Sequence, residues 1–465
     1  MTNGPLDLGD VQGIIRRGYG DLWHARFLLL RITDPEAARG WLGGVIGEVT
    51  NGLEKPADGR LNIAFTNEGL DLLGLDPDVL AGFSREFREG MTTDHRRRVL
   101  GDHGSSAPEH WEWGGPATEG VHCLLLLYAP SAGALEKIHD RHRSAFAQAC
   151  HEVRQLNTVR LPLRKEHFGF RDGIAQPDIE GFRDTGRRDN TVAAGEFLLG
   201  YPNQSGHHAV GPLPFARNGS YLVVRQLEQD VRAFWRFVRE ATSDLDGQAN
   251  MPGCLELAAK MVGRWPSGAP LVRHPERDPD AGKSEGELPL DANNDRFGYH
   301  AVDANGDRCP MGSHIRRTNP RDALSPNPAL SIKNANLHRL LRRGRAYGPP
   351  AATTMDPSDM LAASEDDEKR GLHFLCFNAD IAQQFEFVQQ DWVNNPKFES
   401  LFYADADPIT GAQDPDHPER TGTFTIQAVP VRRRVTGIPR FVHVRGGGYF
   451  FMPSLSGLAY LLEGG

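Results

Sequence analysis

The sequence has few cysteines and no pair of them at the spacing of a metal site or a redox centre. Five occur in 465 residues, and all are far apart: Cys123, Cys150, Cys254, Cys309 and Cys376. An odd number of scattered cysteines argues against a disulfide-stapled secreted domain and indicates reduced thiols. We therefore expect a cytoplasmic protein.

Long apolar runs and blocks of positive charge are also missing. No apolar stretch approaches the ~20 residues that span a bilayer, so we expect no membrane segment. Arg16-Arg17 is followed by Gly-Tyr-Gly-Asp rather than by the apolar core of an export signal. The 61 acidic residues outnumber the 52 basic ones, for a formal net charge of -9. The basic residues do not form a block, which argues against nucleic acid as a partner.

Short apolar strands followed by capped amphipathic helices recur in both halves of the chain. The clearest predicted strands are residues 25–32, 61–65, 123–128, 158–163, 221–224 and 372–377. Residues 441–444 and 449–452 are typical of a hairpin around Gly446–Gly448. Residues 267–294 are rich in Pro, Gly, Asp and Glu and predict a long surface excursion that shapes access to a site. This alternation favours an α+β fold with two halves of similar design, residues 1–190 and 191–465.

The pentapeptide Gly169-Phe170-Arg171-Asp172-Gly173 places one carboxylate between two glycines. Glycine permits positive φ angles and close backbone approach, so this segment can press Asp172 against a bulky partner. Asp-Gly is also a common turn signal, and the pentapeptide alone does not separate a turn from a functional site.

Two further segments follow in order. The first, residues 307–321, reads DRCPMGSHIRRTNPR and contains His314, one of 18 histidines. The second, residues 337–348, reads LHRLLRRGRAYG. Together with Gly169–Gly173, and with DVQGI at 10–14, APEHWEWG at 107–114 and VRGGGYFFMP at 444–453, these segments resemble the dye-decolorising (DyP-type) haem peroxidases. The resemblance covers nearly the whole chain and is closest to the longer, signal-free bacterial members.

This resemblance implies two ferredoxin-like domains with antiparallel sheets flanked by helices. The N-terminal domain, 1–190, would end in the GFRDG segment, and the C-terminal domain, 191–465, would hold haem b. His314 would be the axial ligand of the haem iron. Ser313 stands where the family often has alanine, and the assignment does not depend on it.

Peroxide activation also needs a group that moves a proton and a group that stabilises negative charge. The resemblance gives these roles to Asp172 and Arg342. Arg342 is chosen over Arg343 and Arg345 because it lies six residues before Gly348. Hydrogen peroxide would then oxidise organic donors such as dyes and phenols through a ferryl intermediate.

The remaining assignments concern the walls of the haem site. Phe170 and Gly173 flank the distal aspartate, and Leu375 and Phe377 are expected to cover the distal pocket. Arg321 and Arg316 are expected to meet haem propionates, because arginine pairs well with carboxylates. A carboxylate should also bind the far nitrogen of His314, but the sequence does not indicate which one. Tyr347, Trp392 and Tyr403 are candidate points of electron entry.

Two alternatives stay open from the sequence. Cys309 lies five residues before His314 and could ligate haem as a thiolate, although cysteines are more often packed thiols. The chain could also be a haem-binding or haem-handling protein with incidental peroxidase activity. Retention of both Asp172 and Arg342 favours the enzyme, because storing haem needs neither group. The sequence leaves the oligomeric state open.

Overall fold

The computed structural model describes residues 6–182, 191–244, 246–248, 250–363, 366–402, 405–413 and 422–463. The strands are β1 His24–Ile32, β2 Arg60–Phe65, β3 Cys123–Ala129, β4 Cys150–Asn157, β5 Asp178–Ile179, β6 Thr191–Val192, β7 Ser220–Gln229, β8 Leu341–Arg342, β9 Arg345–Tyr347, β10 Gly371–Asn378, β11 Thr423–Ile426, β12 Arg433–Thr436 and β13 Val442–Met452.

The helices lie between these strands and flank the sheet. They are α1 Gly13–Arg16, α2 Pro35–Val45, α3 Asn67–Leu72, α4 Pro77–Ala81, α5 Arg85–Glu89, α6 Asp94–Leu100, α7 Ala132–Phe146, α8 Val231–Thr242, α9 Met251–Val262, α10 Asp291–Asp295, α11 His300–Asp303, α12 His314–Thr318, α13 Pro328–Asn336, α14 Pro357–Ala362 and α15 Leu455–Glu463. A π-helical stretch follows β10, in segments Ala382–Glu386 and Val388–Val393. Among the residues described, no helix combines the length and apolar character needed to cross a bilayer.

One antiparallel sheet of nine strands runs through the protein. Its order is β4-β1-β3-β2-β13-β7-β10-β8, with β9 also paired to β10. The first four strands of the chain therefore lie in the order 4-1-3-2, which is the ferredoxin-like order. The second half repeats it, because β13, β7, β10 and the β8–β9 edge are its fourth, first, third and second strands. The α+β fold with two ferredoxin-like units is thus confirmed.

The two units meet where β13 pairs with β2, through Phe451 and Phe65. The position of the boundary between them stays a prediction, because the proposed boundary at residue 190 lies outside the described residues. The strands of residues 24–157 pair mainly with one another, and so do those of residues 220–452.

Local signals in the sequence explain where the helices begin. Asp34 accepts hydrogen bonds from the backbone of Glu36 and Ala37, and Pro35 fills the first turn of α2. Ser131 caps α7 in the same way, and Asp230 caps α8. α7 then packs its apolar stripe against β1 and β3, whereas α8 packs against α9 and α14. In both cases the burial of hydrocarbon surface stabilises the fold.

Two expectations about local structure were wrong, and a third holds over only part of its length. The predicted hairpin at residues 441–452 is one long strand, β13, with a register shift between Val444 and Gly446. The glycines allow close packing rather than a turn, because a Cβ on Gly446 would meet Nε1 of Trp113 at 2.3 Å. The predicted strand at 158–163 is a loop, and the strand there ends at Asn157. The predicted surface excursion is buried at its start, from Ser267 to Val272, and is mostly exposed or half-buried from Arg273 to Asn293.

Candidate active site

A cavity of about 270 Å³ lies against the sheet of the second unit. Leu227 of β7, Phe374 of β10 and Val444 of β13 form its floor. The loop that carries Asp172 and the start of α12 with His314 both form parts of its wall. The cavity therefore brings together the two motifs that are most distinctive in the sequence.

His314 begins α12 and turns one ring nitrogen towards the core. Its Nδ1 lies 2.9 Å from Oδ2 of Asp407. The imidazole is 29% exposed, and because His314 lines the cavity, its open surface faces that space. A hydrogen bond from Nδ1 to a carboxylate leaves the lone pair of Nε2 as the available donor to a metal.

Asp407 is the carboxylate that sequence reasoning could not select. Its side chain is completely buried, and its Oδ1 accepts hydrogen bonds from the backbone of Ile409 at 2.9 Å and of Thr410 at 2.8 Å. Burial would raise the pKa of Asp407, but the charge and hydrogen bond of His314 outweigh it and hold the pKa below its usual range. Burial would lower the pKa of His314, and Asp407 reverses that effect, so this pKa is raised.

Asp172 and Arg342 form an ion pair at the cavity, with 2.9 Å between Oδ1 and Nη1. Their side chains are 43% and 28% exposed, and both line the cavity. Burial alone would raise the pKa of Asp172, but the Arg342 charge and a hydrogen bond from the backbone of Gly173 outweigh it. The pKa therefore lies below its usual range, and Asp172 is ionised at neutral pH.

The backbone around Asp172 requires its two glycines. Gly169 has φ of 92° and Gly173 has φ of 81°, values in the region that L side chains rarely adopt. A Cβ on Gly169 would also lie 3.3 Å from the carbonyl oxygen of Met355. The glycines thus fold the loop so that Asp172 reaches Arg342 on the edge strand β8.

Arg342 differs from the nearby Arg343 and Arg345 in what its side chain contacts. Arg343 donates to the carbonyl oxygens of Ile14 and Ile15. Arg345 donates to those of Gly18 and Tyr19. Both therefore fasten the edge of the sheet to the N-terminal segment, and Arg342 is the member of this group that lines the cavity.

The predicted wall residues divide into those inside and those outside the cavity lining. Phe170 lines it and stacks on Trp235, with ring centroids 6.5 Å apart. Arg321 lines it and donates to Asp295 and to the carbonyl oxygen of Phe297. Gly173 adjoins the lining and acts through its backbone hydrogen bond to Asp172.

Arg316 lies outside the cavity lining, so the expected propionate contact was wrong. Its guanidinium is fully buried and donates to Asp303 and to the carbonyl oxygen of Cys309. The side chain ties together the loop that precedes α12. The segment 307–321 carries four arginines, and their residue type alone does not show which one faces the cavity.

Leu375 and Phe377 were assigned to the wrong face of β10. Both are fully buried in the core that packs against Phe27 and Leu29 of β1. Alternate side chains of a strand point to opposite faces, so Leu372 and Phe374 line the cavity instead. Both faces of β10 are apolar, so no alternation of polar and apolar residues indicates which face lines the cavity.

Cys309 is not placed to bind a metal in this cavity. Its thiol is buried outside the lining, and burial raises its pKa to about 11. A thiol of this kind stays protonated at neutral pH. Of the candidate electron-entry residues, Tyr347 and Trp392 are both buried, and Tyr403 lies outside the described residues.

The residues of the cavity fit a haem. One imidazole nitrogen is open, and apolar side chains such as Leu372, Phe374 and Ile409 line the cavity. Arg264, Arg321 and Arg339 line another part and give it positive charge. Nη2 of Arg264 is buried and has no hydrogen-bond partner among the described residues. Such a set suits a flat apolar ring with carboxylates at one edge.

Comparisons with known proteins agree with this geometry. Residues 48–161 match the model of the DyP dimeric alpha+beta barrel domain. The chain is 33% identical to a dye-decolorizing peroxidase of Mycena epipterygia, over 86% of this chain and 75% of that protein. It is 30% identical to the multifunctional dye peroxidase DyP2 of an Amycolatopsis species, over 96% of this chain and 91% of that one.

Solved structures give the same result. An ancestral D-type dye decolorizing peroxidase superposes with a TM-score of 0.80 at 28% identity, over 99% of this chain and all of that one. A dye-decolorizing peroxidase in complex with 2,6-dimethoxyphenol superposes with a TM-score of 0.80 at 27% identity, over 98% of this chain and all of that one. The chain therefore belongs to the dye-decolorising peroxidases, a family of haem enzymes.

Proposed function

We propose that the protein is a haem b peroxidase that uses hydrogen peroxide to oxidise organic donors such as dyes and phenols. The observation that carries this proposal is the pairing of two different groups across one cavity. An imidazole with an open nitrogen, His314, faces the same space as the ionised pair of Asp172 and Arg342. A related protein is named as a dye peroxidase, and the structure of another was solved in complex with 2,6-dimethoxyphenol.

On one side, His314 would hold the iron through Nε2. The hydrogen bond from Nδ1 to Asp407 fixes the ring orientation and makes the other nitrogen a stronger donor. Arg321, with Arg264 and Arg339 beside it, would meet the propionates. When bound, the haem supplies the iron that takes up the two oxidising equivalents of the peroxide and passes them to the donor.

On the other side, the Asp172 carboxylate accepts a proton from one oxygen of hydrogen peroxide and returns it to the departing oxygen. The departing oxygen then leaves as water. Asp172 can accept that proton because Arg342 and the Gly173 backbone keep it ionised. Arg342 also places a permanent positive charge where negative charge develops as the O–O bond breaks.

The test is the rate of reaction with hydrogen peroxide in the haem-loaded Asp172→Asn and Arg342→Leu variants, measured by stopped-flow absorbance. We expect Asp172→Asn to slow it by about 10²- to 10⁴-fold, the usual contribution of general acid–base catalysis. Haem content should stay at the wild-type level, because neither residue is placed to ligate the iron. Glu180→Gln, which changes an exposed carboxylate in the same segment, serves as the control. Wild-type rates in both site variants would refute the assignment, and haem binding without any peroxide reaction would favour the haem-handling alternative.

We further propose a cytoplasmic location, which the five free, buried cysteines support. Cell fractionation of the source organism, with an antibody against the protein, would test it. Recovery of the protein outside the cytoplasm would exclude this location.

A further inference from the structure

The half-buried side chain of Glu166 forms part of the cavity wall but has no role in the steps above. Its Oε2 accepts a hydrogen bond from the backbone of Phe168 at 3.0 Å, and its Oε1 accepts one from the backbone of Phe170 at 3.3 Å. Nε2 of Gln229 donates to Oε2 at 2.5 Å. One side chain therefore accepts from two alternate amides of the loop that leads to Asp172.

The main chain of Glu166 closes the same loop. Its backbone N–H donates to the carbonyl oxygen of Phe170 at 2.8 Å, and its carbonyl oxygen accepts from Gly169 at 2.9 Å. The next residue, Arg171, is fixed by a hydrogen bond from its N–H to Pro266. The turn that precedes Asp172 is thus fastened from inside by Glu166 and from outside by Pro266.

We propose that Glu166 is a positioning residue for Asp172, acting through the backbone of the loop at residues 168–170 and held in place by Gln229. This inference rests on the proposed role of Asp172 in peroxide activation. Glu166 itself touches neither the open nitrogen of His314 nor the guanidinium of Arg342 by any hydrogen bond recorded for the described residues.

Gln229 is suited to hold Glu166 in either protonation state. Burial raises the pKa of Glu166 to about 7, and the nearby charge of Asp172 adds to that effect. Oε1 of Gln229 is buried and has no partner among the residues described. A carboxylate takes a hydrogen bond from the amide N–H₂, whereas a protonated carboxyl group can donate to the amide oxygen after the amide turns over.

The charge on Glu166 should be felt by Asp172. Groups from two elements face the carboxyl group: Asp172 and the backbone amides from its own loop, and the neutral Gln229 from β7. When Glu166 ionises, its negative charge disfavours the ionised form of Asp172 and makes Asp172 a stronger base. Asp172 stays ionised at neutral pH because its own pKa is low, so the reaction with peroxide should become faster as pH rises through about 7.

The test compares haem-loaded wild type with Glu166→Gln and, as a matched control, Glu196→Gln. Glu196 is another carboxyl group whose pKa burial raises to about 7, but it lies outside the cavity lining. The glutamine at 166 keeps the size of the side chain but turns an N–H₂ group towards one backbone N–H, so one of the two loop hydrogen bonds is lost. Two readouts are needed: hydrogen–deuterium exchange of the peptide that covers residues 166–172, and the peroxide rate constant across the neutral pH range.

We expect faster exchange at residues 168–170 in Glu166→Gln and a peroxide rate about 10- to 100-fold lower, since a displacement of ~1 Å can cost about 100-fold. The rise in rate near pH 7 should disappear in this variant and persist in Glu196→Gln. Unchanged exchange, or an unchanged rate with the same pH profile, would overturn the inference. Failure of the proposed function would look different, because wild type itself would then not react with peroxide, whereas the exchange readout would still report the loop.

Discussion

Two aspartates each pair with a basic residue that lines the cavity, and they differ in how far they are enclosed. The Asp407 side chain is 0% exposed, whereas the Asp172 side chain is 43% exposed to the cavity. Each lies 2.9 Å from a nitrogen of its basic partner, His314 or Arg342. In both cases this partner holds the carboxyl pKa below its usual range against the effect of burial. Similar charge pairing therefore serves two different purposes.

The surroundings explain the difference. The second oxygen of Asp407 accepts hydrogen bonds from the backbone of Ile409 and Thr410. Both oxygens therefore have partners, and the carboxylate is held in one orientation. Asp172 stands on a loop between two glycines, and its partner Arg342 lies on an edge strand of two residues. An enclosed carboxylate can orient a ligand, whereas an accessible one can exchange a proton with a small molecule.

The largest effect should come from removing the ligand that Asp407 orients. Loss of a residue that only orients a metal ligand lowers metal affinity by about 10- to 100-fold. We expect His314→Ala, which removes the ligand itself, to lower haem affinity by more than this. The measurement is haem content per protein after reconstitution and gel filtration, from the pyridine haemochrome spectrum. His207→Ala, in an exposed loop, is the control. Full haem retention in His314→Ala would show that another residue holds the iron.

A smaller effect should follow from Asp407→Asn, which removes the charge beside His314. The amide has a single oxygen, so it cannot accept from both the imidazole and the backbone N–H groups of Ile409 and Thr410 as the carboxylate does. The ring nitrogen should become a weaker donor, so the reduction potential of the haem should rise and the peroxide rate should fall by about 10- to 100-fold. Potentiometric titration and stopped-flow absorbance measure the two quantities. A potential equal to that of wild type would mean that Asp407 only fixes the ring and does not tune it.

The pairing of Asp172 with Arg342 should also set how the peroxide rate depends on pH. Because the pKa of Asp172 is lowered, its active ionised form persists as pH falls past 3.8, the usual value for aspartate. It is lost only when pH falls through the lower pKa of the folded protein. In Arg342→Lys the charge remains, whereas in Arg342→Leu burial is left to raise the pKa of Asp172. The acid limb of the peroxide rate should therefore move to higher pH in Arg342→Leu. An acid limb at the same pH in both variants would assign it to another group.

Sequence reasoning located the residues that short motifs mark. Asp172 and His314 each stand in a distinctive segment, and Arg342 could be separated from Arg343 by its distance to Gly348. Their roles stay predictions until the variants are measured. The repeated strand–helix alternation, with the family resemblance, also predicted the two ferredoxin-like units, because local periodicity reports local structure.

The misses concern contacts that depend on the tertiary fold. Asp407 lies 93 residues from His314 along the chain, and no spacing connects the two. Glu166 lies three residues before the GFRDG segment, but its hydrogen bonds depend on the loop folding back on itself. Arg316 shares a residue type with Arg321, and only the path of the chain shows that it turns towards Asp303.

Substitutions on the two faces of β10 should have the smallest effect on the chemistry. They also test directly which face forms the cavity wall. Phe374 lines the cavity beside Phe385, with ring centroids 6.2 Å apart, whereas Phe377 is fully buried on the opposite face. Phe377→Ala should lower the free energy of unfolding by about 3–5 kcal/mol, because it empties part of a closed core. Its haem spectrum and peroxide rate should match wild type.

Phe374→Ala should show the reverse pattern. Part of its ring already faces open space, so its loss should cost less stability than that of Phe377. The wider cavity should shift the haem absorption bands and speed the oxidation of bulky phenols relative to small ones. Chemical denaturation and steady-state rates on phenols of graded size measure the two effects. If Phe377→Ala altered the haem spectrum and Phe374→Ala did not, the assignment of the cavity face of β10 would be reversed.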